Sequence, residues 1–574
     1  MPTLNWIGKE AVVNHHLQVP FHLLKDVPEL SCGDPGEGNL IIEGDNLVAL
    51  KALLPYYAGQ IKCIYIDPPY NTGKENDGKG WLYSDRVSSP LMREWLGKTV
   101  GKEAEDLSRH DKWLCMIYPR LRLLKEFLAP DGVMFVSIDD IELPHLRMLM
   151  DELFPEPQAK NRLACFVWET EGNFDNQAKI KNAHEYILAY SKSFEDFPAP
   201  PVIDPSVAAK SKLFRPEIRN TIVKNGPKNP VSPIMLPAGF PADFSEGLIA
   251  ARSNKWPHYD HDLQVRDRAL VAPAIARSGW SSKEICEEFI KSECRSVVDT
   301  KGQATRFVLT RTGAIECIKT RSTAQSHVIS VIREAGSTQS TSEVLKDMGI
   351  KFTFPKPVEL VSYLISMVAD KSALVLDSFA GSGTTAHAVL NLNRQDGGQR
   401  RFILIQMPHE SEEQVRRGQS ITRDLTAERV RRVAQGYTSV EGNPIEGLGS
   451  GFRFCQLGDP LFDGNGKIRE SVTFGELARH VYFTETGEPL PRERVPTSPL
   501  LGICRDVGIY LLYNGILSER SADGGNVLTR AVLARLPRFD GPRVVYCAGC
   551  LLGRDRLRTE RIVVRQIPYE IKVS

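Results

Sequence analysis

The sequence predicts an α/β protein: strands and helices alternate around a mostly parallel sheet, broken by one inserted domain and followed by a smaller mixed α/β domain. Three observations carry this. The apolar run Ile61-Lys62-Cys63-Ile64-Tyr65-Ile66 ends in Asp67-Pro68-Pro69-Tyr70, a buried strand opening onto a stiff polar turn. Far downstream, Ala373 to Leu390 reads as a buried strand, a Gly-rich turn and a helix start, the layout of a Rossmann-like nucleotide loop. Between them, over 191–350, proline becomes frequent and the regular alternation is lost.

The elements follow in order. Residues 1–37 form a lead-in, and a loop runs from Gly33 to Gly38. Asn39 to Asn46 is a strand and a polar turn, after which Leu47, Leu50, Leu53 and Leu54 share one helical face. With Ile61–Ile66 next, Asp45 and Asp67 sit on successive strand ends, where such sheets bind ligands. Residues 74–112 read as a long loop and a helix, 113–128 as an amphipathic helix, 132–140 as a strand and 143–153 as a helix. Strands are expected at 163–168 and 184–190, with a polar loop between them. In the irregular middle, 285–290 reads as helical and 304–319 alternates in a β-like way. The helix–strand–turn–helix–strand pattern resumes at 351 and closes with Phe402-Ile403-Leu404-Ile405-Gln406. A charged helical stretch at 410–435, a linker-like region at 436–466 and a mixed C-terminal part complete the chain.

Composition bounds the function. At 574 residues the chain is too long for one ordinary domain. No apolar run approaches the roughly 20 residues a membrane span needs, and no signal core is visible, so a cytoplasmic location is expected. Eleven scattered cysteines fit reduced thiols. The net charge of +1 does not announce nucleic acid, so distribution matters more. Lys301, Arg306, Arg311, Lys319 and Arg321 cluster in the middle region, as do Lys210, Lys212, Arg215, Arg219, Lys224 and Lys228. Either group is a candidate DNA face or ordinary solvated surface.

The chemistry lies in the two turns. Proline fixes φ and lacks an N–H, so carbonyls beside Pro68 and Pro69 are held in place as acceptors. Asp67 is a second acceptor and Tyr70 a stacking face, a cup suited to a flat ring with an exocyclic amine, such as adenine. The bland alternative is a tight Pro-Pro turn with a capping Asp. In the second turn Gly381 and Gly383 let backbone approach a ligand, and Thr384 and Thr385 open a helix with free N–H groups. A third fingerprint glycine and a Gly-Lys-Ser/Thr are both missing. An adenosyl ligand with a carboxylate tail and no phosphates fits better than a dinucleotide or a triphosphate.

On DPPYNTG at 67–73, the opening Asn5 to Ala11, and Phe354-Pro355-Lys356-Pro357-Val358-Glu359-Leu360, the chain resembles the modification (Mod) subunits of Type III restriction–modification systems. These are S-adenosylmethionine-dependent amino-group DNA methyltransferases of the permuted, β-class motif order. The resemblance is good over about 1–190 and 350–410. It implies a catalytic half at 38–190, a target-recognition domain at 191–350, a cofactor-binding half at 351–435, and a C-terminal domain at 436–574 for partner or dimer contacts. Asp67 and the Pro68 carbonyl then accept from the adenine amine, Pro69 stiffens the loop, and Tyr70 stacks. Asp377, Phe379, Gly381, Gly383, Thr384 and Thr385 hold S-adenosylmethionine, with Asp45, Asn46, Lys356 and Pro357 nearby. The expected ribose-binding acid is Gln406 here, with Glu410 as a substitute. Implied partners are double-stranded DNA, a second copy of the chain and a restriction subunit carrying nuclease and helicase. N4-cytosine or RNA methylation, or a recognition subunit with methylation secondary, remain open. No metal site is expected: Cys547–Cys550, His15–His16 and His258–His261 each lack a ligand set, and Asp139–Asp140, which could bind metal, reads rather as a helix cap before Ile141-Glu142. Trp168 is a candidate either for core or for the base pocket.

Overall fold

A computed structural model describes residues 3–72, 97–100, 108–155, 161–170, 179–300, 302–320, 326–352, 354–368, 370–409, 412–491, 498–513, 516–517 and 525–567. Most of the loop expected at 74–112, and 171–178 of the loop expected between the strands at 163–168 and 184–190, lie outside them. Two compact units emerge, Met1–Pro200 with Ile329–Ser574, and Pro201–Val328.

The first unit is built on a ten-stranded sheet. Its middle is parallel, in the order Arg453–Pro460, Leu40–Glu43, Arg401–Gln406, Leu374–Asp377, Ile61–Ile66, Leu128–Ile138. Leu40–Glu43 and Leu374–Asp377 are buried throughout. Such two-faced burial explains why these strands read as unbroken apolar runs. His184–Ser191 continues the sheet antiparallel beside Leu128–Ile138, then come Arg162–Glu169 and Val331–Ile332. Helix Arg109–Phe127 begins on a Ser108 capping box and packs with helix Asn46–Tyr57 into the sheet's main core.

The crossover from Ile61–Ile66 through Arg109–Phe127 leads to Leu128–Ile138 on one side. That from Leu374–Asp377 through helix Thr384–Asp396 leads to Arg401–Gln406 on the other. The chain therefore diverges between two neighbouring strands, Ile61–Ile66 and Leu374–Asp377. In open α/β sheets that switch point leaves a crevice at the strands' carboxyl ends.

The sequence missed two contributions to the sheet. The linker-like stretch holds Arg453–Pro460, which pairs parallel to Leu40–Glu43. The lead-in holds His22–Asp26, which pairs antiparallel to Arg453–Pro460. His22–Asp26 is the sheet's edge strand and Arg453–Pro460 lies next to it; the partners of both are remote in sequence, so local pattern could not expose them. Strand Val331–Ile332 joins the same sheet, so the first unit resumes at 329, inside the stretch read as an insert over 191–350. Further on, Leu500–Cys504, Val507–Leu511, Arg543–Cys547 and Ile562–Gln566 form a second, four-stranded sheet. Among the described residues no helix is long and apolar enough to cross a membrane.

The second unit holds three small sheets and helix Lys283–Lys291 around Phe240, Phe289 and Phe307. The β-like alternation at 304–319 is the hairpin of Ala304–Leu309 and Ile315–Thr320.

Candidate active site

The switch-point crevice is a cavity of about 400 Å³. One wall comes from the first turn, through Asp67, Pro68 and Tyr70. The opposite wall comes from the Gly-rich turn, through Asp377, Phe379, Gly381, Thr384 and Thr385. Lys356 and Glu185 close the space between them, and Phe352 and Phe354 add apolar surface. Two distant stretches of sequence thus share one cavity because their strands are neighbours in the sheet.

Asp67 sits in a tight polar cluster. The Lys356 ammonium lies 3.1 Å from Asp67 Oδ2 and 3.3 Å from Glu185 Oε2. Tyr70 donates its hydroxyl toward Asp67 Oδ1 at 2.9 Å and Glu185 Oε2 at 3.0 Å. The Lys356 ammonium also lies 4.8 Å from the centre of the Tyr70 ring. Burial raises the Asp67 carboxyl above its ordinary range; Lys356 opposes the rise and Glu185 adds to it. Burial alone would lower the Lys356 pKa, yet the two carboxylates hold it above the usual lysine value. Tyr70 is pushed well up, so the phenol keeps its proton and donates.

The loop is pinned from behind. The Pro69 carbonyl accepts from Trp113 Nε1 at 2.7 Å. Asn71, at φ 61°, donates its amide to Glu142 Oε1 at 2.5 Å and to the Arg109 carbonyl at 3.2 Å. Glu142 is fully buried and holds His110 Nδ1 and His145 Nδ1 at 2.8 Å each. The donor atoms of this trio lie within 4.8 Å of one another, a grouping no local motif announced.

The Gly-rich turn is gripped just as firmly. Asp377 accepts from the Phe379 amide at 3.0 Å and the Thr385 hydroxyl at 2.6 Å. Burial raises its pKa to about 7, against those two hydrogen bonds. Gly381 and Gly383 have φ values of 50° and 81°, which side chains rarely adopt. The Gly381 amide donates to Gln406 Oε1 at 2.9 Å, and its carbonyl accepts from Thr426 at 2.6 Å. Arg429, fully buried, donates to Ser382 Oγ and Thr384 Oγ1 at 2.6 and 2.9 Å.

Several predicted residues take supporting positions. Asp45 caps helix Asn46–Tyr57 through the Leu47 and Val48 amides and pairs with Arg120 at 3.1 Å. Asn46 donates to the Ser378 carbonyl at 2.9 Å, and Gln406 spends its side-chain oxygen on Gly381. Both brace the turn by its backbone. Pro357 begins helix Val358–Ser366. Lys356, grouped by sequence with the cofactor residues, lies instead against Asp67. Asp139 lines the cavity and caps through the Ile141 amide at 2.9 Å, while Trp168 is core. Glu410 lies outside the described residues. Glu185, Thr426 and Arg429 were missed. Glu185 had a signal, an acid in an otherwise apolar strand; the other two sit in a charged helical stretch with nothing to single them out.

Residues 61–417 match the family model described as DNA methylase, which covers N6 and N4 amino methylation. The chain belongs to this DNA methylase family. It is 31% identical over 514 residues to the Type III restriction-modification enzyme EcoPI Mod subunit of Escherichia phage P1, covering 84% of this chain and 74% of that one. It is 28% identical to the EcoP15I Mod subunit of Escherichia coli, with the same coverages. To the Type II methyltransferase M.KpnI of Klebsiella pneumoniae it is 27% identical, over 67% of this methylase and 84% of the relative.

In the second unit of the methylase, the candidate DNA-binding cations are largely engaged. Lys319 Nζ lies 2.5 Å from Asp299, whose side chain is 2% exposed. Arg306 pairs with Glu217 at 3.0 Å. Arg311 is exposed and stacks 5.3 Å from the Phe244 ring centre. Lys301 and Arg321 lie outside the described residues. Lys319→Met therefore removes the described cation beside the buried Asp299 carboxylate, which still accepts from the Gln303 amide, and lowers stability by about 3 kcal/mol, read by urea denaturation. Arg311→Ala leaves stability nearly unchanged and, with DNA bound through this unit, lowers the slope of log affinity against log salt by about 0.9, read by a binding titration across a salt series.

Proposed function

We propose that the chain transfers the methyl group of S-adenosylmethionine to the N6 amino group of an adenine flipped out of duplex DNA, as the modification and recognition subunit of a Type III-like restriction–modification system. The single observation that supports this most is that the Asp67 and Asp377 carboxylates line one cavity. The first suits an exocyclic amine, the second the ammonium of an amino-acid tail.

The residues present fit the cofactor. Asp377 is a buried acid whose described partners are an amide and a hydroxyl, which leaves its charge to be balanced by a ligand cation. The positive-φ glycines bring backbone close, and the first N–H groups of helix Thr384–Asp396 face the same turn. Phe352 and Phe379 supply apolar wall for an adenosyl group.

Adenine's amine is a poor nucleophile because its lone pair is delocalised into the ring. Asp67 and the Pro68 carbonyl accept its two N–H bonds, pushing density back onto nitrogen and favouring tetrahedral geometry. Tyr70 presents its ring to the base and Lys356 holds the carboxylate in place. When bound, the cofactor supplies a methyl group on a sulfonium; nitrogen's lone pair forms the N–C bond as the S–C pair returns to sulfur. The protein forms no covalent bond, so placement and electrostatics carry the rate. Extruding the base costs roughly a few kcal/mol. The unit at 201–328 takes the role of DNA reader. A homodimer and a nuclease–helicase restriction partner complete the proposed assembly, in a cytoplasmic setting.

Incubating the purified chain with duplex DNA and labelled cofactor tests the reading. Label on adenine N6 at one sequence is expected. Label on cytosine N4 rejects the adenine assignment, and specific binding without transfer favours a recognition module. Asp67→Ala should slow transfer by about a thousandfold or more with cofactor affinity nearly unchanged. Gly381→Val, forced to a φ that a β-branched residue resists, should weaken cofactor binding by about tenfold or more. Both are read by equilibrium binding and single-turnover transfer.

Asp377 gives a pH dependence of two opposite signs. Its pKa is raised to about 7, so the stability it lends the cofactor-free protein is present at low pH and lost as pH rises through about 7. Cofactor affinity should do the reverse, rising through about pH 7 as the carboxylate ionises to meet the ammonium. Melting curves and calorimetric titrations across pH check both, and Asp377→Asn should flatten both.

A further inference from the structure

We propose that Glu185 is the second carboxylate of the catalytic site, sharing the Lys356 ammonium so that Asp67 keeps a net negative charge for the target amine. This rests on the methyl-transfer reading above and goes beyond the residues that reading assigns.

The geometry is nearly symmetric. Lys356 Nζ lies 3.1 Å from Asp67 and 3.3 Å from Glu185. The Tyr70 hydroxyl lies 2.9 Å from Asp67 and 3.0 Å from Glu185. A phenol has one proton to give, so at any instant it satisfies one carboxylate, and the other is left richer in negative charge. The side chains of Lys356, Asp67 and Glu185 are 11%, 24% and 27% exposed, so water screens these charges poorly.

Charge then decides what the cluster can do. One ammonium, two carboxylates and a neutral phenol sum to one negative charge. With Glu185 removed, Asp67 and Lys356 form a neutral pair, and the ammonium competes directly with the amine for the Asp67 oxygens. With Glu185 present, the cluster remains anionic where positive charge develops on the amine nitrogen. Tyr65, whose hydroxyl bonds Ser137 at 3.0 Å, Asp139, His184 and Asp377 line the same cavity, and Lys356 is its one lysine or arginine among the described residues. When nitrogen's lone pair has become the N–C bond, the proton it sheds passes to the Asp67–Glu185 pair and on to solvent.

Glu185 comes from strand His184–Ser191, on the far side of Leu128–Ile138 from the strand that carries Asp67. The sheet therefore delivers the two acids from different stretches of chain to one ammonium.

A charge-balance cycle tests the inference in the full chain, with duplex DNA and labelled cofactor under single-turnover conditions. Glu185→Gln should slow transfer by about a hundredfold with cofactor affinity and melting temperature nearly unchanged, while Glu185→Asp retains transfer within about tenfold of wild type. Adding Lys356→Met to Glu185→Gln restores the single negative charge and should recover about tenfold over Glu185→Gln alone. Glu185→Gln transferring at the wild-type rate, or a folded, cofactor-binding double variant no faster than Glu185→Gln, overturns the proposal. Should the double variant not fold, Glu185→Asp decides: a loss as deep as that of Glu185→Gln overturns it. A wild-type chain that transfers no methyl group at all instead sinks the methyl-transfer reading itself.

Discussion

One ammonium holds this site together. Lys356 supplies it from the segment before helix Val358–Ser366, Asp67 reaches it from the turn after Ile61–Ile66, and Glu185 from an antiparallel strand further across the sheet. Desolvating three charges is costly unless geometry returns the energy through close contacts. The contacts at 3.1 and 3.3 Å, with a phenol bridging both acids, do so. A sheet in another register would leave an uncompensated charge beneath the cavity. The cluster is therefore a constraint on the fold as well as a feature of the chemistry.

The remaining parts can be ordered by how they serve that constraint. The switch point between Ile61–Ile66 and Leu374–Asp377 makes the crevice. Asn71, clamped on buried Glu142, fixes one wall in a left-handed conformation. Gln406, Thr426, Arg429 and Asn46 fix the other wall by its backbone. A turn held at so many points is preorganised, and electrostatic preorganisation is what a reaction without covalent catalysis depends on. Asn46 and Gln406, which read as ligand contacts in sequence, hold the Gly-rich turn by its backbone.

Legibility followed the range of the interactions. The central strands were readable because two-sided burial makes them apolar runs, and the two turns because prolines and glycines mark their backbone needs locally. Strands His22–Asp26 and Arg453–Pro460 were not, since each is defined by a partner remote in sequence. The site divided the same way. Asp67, Tyr70, Asp377 and Gly381 announce themselves within their own motifs. Lys356 was legible as a site residue, but its partner was not. Glu185 and Arg429 acquire meaning only when the sheet brings them to the cavity and the turn.

The basic stretch of the second unit shows how far linear charge and folded charge differ. Counting cations along the chain suggested a DNA face, but Lys319 neutralises buried Asp299 and Arg306 meets Glu217. A cation already paired with a carboxylate must give up that partner to bind phosphate, so its contribution to affinity is the difference of two attractions. Among the described residues, an exposed guanidinium such as Arg311 has no carboxylate to give up, only its contact with Phe244. Linear charge therefore overstates the electrostatic footprint of a folded unit. The same reasoning governs the active site, where the count of charges around Lys356, rather than the presence of any one of them, decides whether Asp67 acts as an anion.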